Sequence, residues 1–153
     1  MRRVVLLIAS GGLVGYIPVA SGTFGSVVAI PLYWLFEPWR HLSVALYLTT
    51  YVTAVVLACW IAGRAEAILQ DHDSHVIVID EIVGYLAATL FLAPTWEHTL
   101  VALFTFRLFD VLKPFPAGFI DRSMPGGAGV VLDDVVAGLY ANLATRALLV
   151  FVS

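Results

Sequence analysis

Residues 42–62 form a run of 21 residues without one formally charged side chain. Wound as a helix at about 1.5 Å per residue, that run reaches about 31 Å, enough to cross the hydrocarbon core of a bilayer. Gly63 and then Arg64 follow it. Four other apolar segments surround it, at 24–36, 82–93, 99–112 and 135–152. Three of these are only about 12–14 residues long, a length that suits buried helices or re-entrant pieces as well as spans. Length therefore qualifies the second and fifth segments as membrane crossings.

Composition sharpens the constraint. Of 153 residues, 61% are hydrophobic and 12% charged, where soluble domains average about 45–50% and about 25%. An ordinary soluble enzyme is excluded by too little charge to wet its surface, and disorder by too much to bury. A net charge of −3 with no Lys/Arg run offers nucleic acid no landing surface. Cys59 is the single cysteine, so no internal disulfide forms. Behind Arg2 and Arg3 the apolar run stops after six residues at Ser10-Gly11-Gly12, so no cleaved leader is expected. These features predict one domain over residues 1–153, all-α, a compact bundle of about five or six hydrophobic helices, integral to or embedded in a membrane.

If five helices alternate across the bilayer from a cytoplasmic start, one side receives Arg2, Arg3, Arg64, Arg107, Lys113 and Arg122. The other receives Arg40, while Arg146 lies within the last helix. That asymmetry satisfies the positive-inside rule, and Trp39 and Trp96 fall in the short outer loops where an aromatic belt belongs. The same assignment gathers Glu66, Asp71, Asp73, Asp80, Glu81, Asp110, Asp121, Asp133 and Asp134 on the cytoplasmic side. Such a gathering repels itself unless a cation sits among its members.

Four constellations carry chemistry. Ser21-Gly22-Thr23-Phe24-Gly25-Ser26 precedes an apolar helix and reads either as an N-capped turn or as a phosphate cradle of backbone N–H groups. Asp71-His72-Asp73-Ser74-His75 leads into Asp80-Glu81 at the head of another helix, where one acid suits a cap and the other the first turn. Arg107, Asp110 and Lys113 are spaced i, i+3, i+6 along a helix that Pro114 closes. Finally, Gly126-Gly127-Ala128-Gly129 precedes Val131-Leu132-Asp133-Asp134-Val135-Val136, which echoes Val78-Ile79-Asp80-Glu81-Ile82-Val83. The echo predicts two paired acidic helix starts, with Gly84 and Gly138 letting the two helices approach closely.

Carboxylates for Mg²⁺ and cations for an anionic oxygen-rich group favour phosphoryl chemistry over redox or acyl transfer. Cys59 lies inside the most lipophilic helix with four residues before Arg64, not the five of a cysteine phosphatase loop. Asp71-x-Asp73 follows a helical stretch rather than the strand an aspartyl-phosphate nucleophile needs, and no Pro-Ser-Gly-His segment is present. The paired Asp-x2-Asp and Asp-x3-Asp motifs of lipid phosphotransferases are missing too. Hydrolysis by an activated water is what remains.

In order and spacing, the motifs resemble those of the phosphatidylglycerophosphatase A family. They are Gly22-Thr23-x-Gly25-Ser26, His72-Asp73-x3-Ile77-Val78-x-Asp80-Glu81, Phe106-Arg107-x2-Asp110-x2-Lys113-Pro114-x-Pro116-x4-Asp121 and Gly126-Gly127-x-Gly129-x3-Asp133-Asp134-x2-Ala137-Gly138. Ser21 stands where that family often has proline. The resemblance implies an all-helical Mg²⁺-dependent bacterial enzyme that converts phosphatidylglycerol phosphate to phosphatidylglycerol and phosphate. It further implies a cytoplasmic-membrane location, with the active site facing the cytoplasm and membrane lipids around it.

Carried over by position, the motifs mark Asp80, Glu81, Asp110, Asp133 and Asp134 as the acidic centre. Asp80, Asp110 and Asp134 are expected as metal ligands, and Glu81 or Asp133 as the catalytic base. Arg107 and Lys113 are expected to hold the phosphate, Thr23 and Ser26 to donate hydroxyls, and Asp121 and Arg122 to meet the headgroup. The competing reading is a small ion or proton carrier, since intramembrane carboxylates also mark transport paths. A carrier would place its acids near the midplane, whereas these gather at one surface.

Overall fold

The computed structural model describes residues 2–152, with side chains as far as residue 150. Its elements are α1 (Arg2–Ala9), a 3₁₀ turn (Val14–Tyr16), α2 (Ser21–Phe36), α3 (Trp39–Leu42), α4 (Val44–Leu69), α5 (Ile79–Ala88), α6 (Trp96–Leu112), α7 (Ala117–Ser123) and α8 (Gly127–Val152). No strand occurs among the described residues, so the fold is all-α as expected. The five apolar segments become the bodies of α2, α4, α5, α6 and α8. The short helices α1, α3 and α7 are additions that hydrophobic run length does not reveal.

Two helices, at Val44–Leu69 and Gly127–Val150, are long and apolar enough to cross a membrane. They behave differently. Only 17% of the apolar window of α4 is buried within the protein, leaving Val52, Val56, Leu57 and Trp60 on its outer surface. These side chains form an apolar face of α4 that nothing else in the protein covers. Half of the α8 window is buried, because α8 packs against α4, α5, α6 and α7. At 10 residues, α5 is too short to span and serves as an inner helix against α8.

Small residues let these helices close on one another. Ala58, Ala62 and Ala65 of α4 meet Val5 and Ala9 of α1, Ile77, Val83 and Val131 in one core. A second core joins α2, α5, α6 and α8 through Ala29, Tyr33, Tyr85, Ala102, Phe106, Ala137 and Ala141. Polar atoms inside it are satisfied: the Tyr85 hydroxyl donates to Thr99 O and the Tyr33 hydroxyl to Ala93 O.

Helix ends follow local chemistry. Ser43 and Thr95 cap α4 and α6 by accepting from Leu46 N and His98 N. Gln70 and Lys113 end those helices in the left-handed region, with Pro114 next in the chain as expected.

Two expected helix starts differ. Val78, not an acid, occupies the N-cap of α5, so Asp80 and Glu81 both fall in its first turn. The helix α8 begins at Gly127, which places Asp133 and Asp134 nearly two turns inside it. Gly127 makes that extension possible, because a Cβ there would lie 2.2 Å from Cys59 O and from Gly63 N. The glycines start the helix against α4 rather than forming a loop before it.

Candidate active site

Asp80 and Glu81 leave the first turn of α5, and Asp134 comes from the facing side of α8. Each offers a carboxylate oxygen, and the three oxygens lie within 4.8 Å of one another. Asp80 is 7% exposed and Asp134 4%. Burial, then the charge of neighbouring Glu81, pushes the Asp80 carboxyl well above its ordinary range. Burial also raises Glu81; the Asp80 hydrogen bond and the Arg107 charge oppose that rise, while the Asp110 charge adds to it.

Arg107 supplies the adjoining positive charge from α6. Its Nη1 lies 2.6 Å from Asp110 Oδ2, one helical turn away, and 3.9 Å from Glu81 Oε1. The expected i, i+3 pair is thus formed, and it leans against the acidic cluster. On the other side the N-terminus of α2 closes in: a Cβ on Gly22 would lie 2.1 Å from Glu81 Oε1 and 3.0 Å from Arg107 Nη1. Only a residue without a side chain fits there, so α2 begins in contact with the site.

Asp133 points elsewhere. Successive helical residues diverge by about 100°, so Asp133 turns to Lys113 while Asp134 turns to Asp80. Lys113 Nζ donates to Asp133 Oδ2 at 2.7 Å and to Asp121 Oδ1 at 2.9 Å. Burial alone would lower the Lys113 ammonium, but these two hydrogen bonds outweigh it and hold the group above its ordinary value. Asp121 of α7, Lys113 and Asp133 therefore form a bridged triad beside the cluster of three.

The remaining sequence-marked residues divide. Ser26 is fully buried and donates its hydroxyl to Gly22 O, so it ties the first turns of α2 together. Thr23 is half-buried on the first turn of α2. Arg122 is exposed on α7, with no ion pair among the described residues. Glu66, one of the gathered acids that no motif marks, joins the loop to α4 by pairing with His72 Nδ1 and accepting from Asp73 N at 3.0 Å. That pairing spans six to seven residues across a helix end, a spacing with no periodic signature.

The donor set can be tested against a divalent cation. Among the described residues, Asp80 Oδ1, Glu81 Oε2, Asp133 Oδ1 and Asp134 Oδ2 are buried without a hydrogen-bond partner. Arg107 Nη1 also lacks an aligned partner despite its closeness to Asp110. Buried polar atoms are ordinarily paired, and orphaned ones call for a ligand or ion. Three converging all-oxygen donors, hard and anionic, fit Mg²⁺ or a similar cation better than a soft metal.

Known proteins place this arrangement. Residues 7–149 match the family model described as Phosphatidylglycerophosphatase A. A relative of that name from Escherichia coli (strain K12) is 34% identical over 139 residues, covering 88% of this chain and 77% of its own. One from Haemophilus influenzae is 33% identical over 143 residues, covering 93% of this chain and 86% of its own. A Bacteroides thetaiotaomicron protein is 34% identical over 146 residues, covering 89% and 87%, and carries the provisional name phosphatidylinositol-3-phosphatase. No solved structure matches the chain.

Proposed function

The chain belongs to the phosphatidylglycerophosphatase A family, and from that premise we propose that it removes the terminal phosphate of phosphatidylglycerol phosphate in a Mg²⁺-dependent hydrolysis at the cytoplasmic face of the bacterial inner membrane. Family membership makes it a phosphatase. The observation that carries the finer reading is the convergence of Asp80, Glu81 and Asp134, with buried oxygens that nothing in the chain satisfies.

Asp80 and Asp134 would hold the cation, with Asp110 beside them on α6. Bound there, Mg²⁺ would supply charge neutralisation for the phosphoryl oxygens. Arg107 keeps most of its guanidinium donors available to those same oxygens, since a single nitrogen faces Asp110 and Glu81. Glu81 is the better placed of the two expected bases, because Asp133 is already engaged by Lys113. As water attacks phosphorus, Glu81 Oε2 takes its proton, the ester P–O bond breaks, and Glu81 returns that proton to the departing alkoxide to leave the glycerol hydroxyl. Asp121, Lys113 and Asp133 would line the approach of the headgroup, with Arg122 outside them. The exposed apolar surface of α4 supports membrane embedding, which keeps the acyl chains in the bilayer while the phosphate reaches the site.

Purified protein in neutral detergent should release phosphate from phosphatidylglycerol phosphate with Mg²⁺ present, and EDTA should stop it. Asp80→Asn and Asp134→Asn should each reduce the rate at least about a hundredfold while the protein still folds. Activity unaffected by EDTA would overturn the metal assignment. The name of the Bacteroides relative favours a second reading, in which the lipid carries a phosphoinositide headgroup. Faster turnover of phosphatidylinositol 3-phosphate would replace the substrate while leaving the site intact.

A further inference from the structure

Away from the acidic cluster, α1 and α4 enclose a groove of about 380 Å³ lined by Arg2, Val5, Trp60, Arg64, Ala67 and Ile68. Its floor is apolar and its two charged members are both guanidinium groups. Arg64 lies over the Trp60 ring, with Cζ 5.7 Å from the ring centroid, within cation–π range. Neither Arg2 nor Arg64 has an ion-pair or hydrogen-bond partner among the described residues. Arg3 and Arg122 are likewise unpaired among the described residues but lie outside this groove, whereas Arg40, Arg107, Lys113 and Arg146 are bound to Glu37, Asp110, Asp121 with Asp133, and Asn142 with Leu90 O respectively.

The groove is not an outlying part of the catalytic site. Val5 belongs to the core of Ala58, Ala62, Ala65, Ile77, Val83 and Val131, and none of the groove's lining residues belongs to the acidic cluster. Nor is the pair merely two surface charges. Both rim one concavity, and half-exposed Trp60 stands on the same helix where the charge-free run of α4 ends. A positive fork above an apolar trough, beside a tryptophan near the end of the charge-free run, matches an anionic lipid in each of its parts.

We propose that this groove binds one anionic phospholipid of the surrounding bilayer, its phosphodiester between Arg2 and Arg64 and the start of an acyl chain along Val5, Ala67 and Ile68. The lipid is bound and not turned over. A phosphodiester presents two unesterified oxygens with one shared charge, which suits a pair of guanidiniums without needing a metal, and a net anionic headgroup adds to that attraction where the quaternary ammonium of phosphatidylcholine opposes it. This inference rests on the membrane placement above but not on the substrate or the metal.

The test uses the full chain in neutral detergent, with native mass spectrometry counting retained lipid. Phosphatidylserine is the probe, because it is an anionic diester that is neither substrate nor product of the proposed reaction. Phosphatidylcholine and inorganic phosphate are the comparison arms. One phosphatidylserine should be retained roughly an order of magnitude better than phosphatidylcholine, and inorganic phosphate should not displace it. Arg2→Ala with Arg64→Ala should abolish that preference. Arg3→Ala, which removes one positive charge outside the groove, should keep it, as should Asp80→Asn. Phosphatase rate in lipid-poor detergent should be the same for the double variant as for the parent. Absence of preference would overturn the proposal, and so would equal loss in Arg3→Ala, loss in Asp80→Asn, or full displacement by inorganic phosphate. Should the double variant unfold, Arg64→Gln alone must still lower retention.

Discussion

Gly138 of α8 lies against Gly84 of α5 so closely that a Cβ on Gly138 would stand 2.2 Å from Gly84 O. Four residues before each glycine, one helical turn along, are Asp134 and Asp80. This close backbone approach between α5 and α8 thus sits one turn from two converging carboxylates. From the other side, a Cβ on Gly84 would meet Phe106 at 2.7 Å and Asp134 O at 2.9 Å. Both glycines are needed for lack of bulk, not for unusual torsion angles.

Gly138→Ala should therefore damage the site through the backbone. An added methyl against a carbonyl cannot be relieved by a rotamer change, so α5 and α8 must separate. Overpacking of this sort costs about 1–3 kcal/mol, and the three oxygens would spread. The expected result is a lower melting temperature with a Mg²⁺ requirement shifted to higher concentration. If melting falls but the metal requirement is unchanged, the glycine contact does not govern the carboxylate spacing.

Most of this helix framework is legible in the sequence, because each apolar run long enough to see becomes a helix. The acidic cluster is legible for a different reason: Asp80-Glu81 and Asp133-Asp134 sit in matching apolar surroundings, where a charge needs an explanation. What the sequence conceals is direction. Adjacent Asp133 and Asp134 look equivalent on paper, yet α8 turns one toward Lys113 and the other toward Asp80. Ser26 looks like a free hydroxyl donor until the helix buries it against Gly22 O. The short helix α1 is hidden because its burial depends on α4, a partner more than 40 residues away.

Stability of the metal-free protein should rise as pH falls toward the ordinary carboxylate range. The folded state holds Asp80 above its ordinary value near 3.8, so between those two values the folded chain binds more protons than the unfolded one. Stability is then lost as pH rises through that interval. His72, raised chiefly by its hydrogen bond to Glu66, acts in the same direction but is exposed and weak. Melting in EDTA, followed as pH is lowered toward the ordinary carboxylate value, should show the rise, and Asp80→Asn should flatten it. An equally steep profile in the variant would place the titration elsewhere.

Lys113 should matter more for folding than for charge balance. It bridges Asp121 and buried Asp133, which is 2% exposed. Lys113→Met leaves Asp133 charged and unpaired, at a cost of about 2 kcal/mol after allowance for the partial exposure of the lysine. Adding Asp133→Asn to that variant should recover much of the loss, since the orphaned charge is then gone. Additive destabilisation in the double variant would show that the bridge contributes little.

Arg107 separates two roles by a conservative change. If its task is to neutralise Asp110 and Glu81, a lysine reaching the same acids should serve nearly as well. If its task is to present a planar fork to the phosphoryl group while one nitrogen leans on Asp110, lysine fails, because a compact ammonium cannot do both. The geometry favours the second, since Nη1 alone lies within 4 Å of the two acids. Arg107→Lys should then melt within a few degrees of the parent while losing about 10²–10³ in kcat/KM, and the inhibition constant for inorganic phosphate should rise with it. Near-normal turnover in Arg107→Lys would reduce Arg107 to a counter-charge and leave phosphate recognition to the cation and the start of α2.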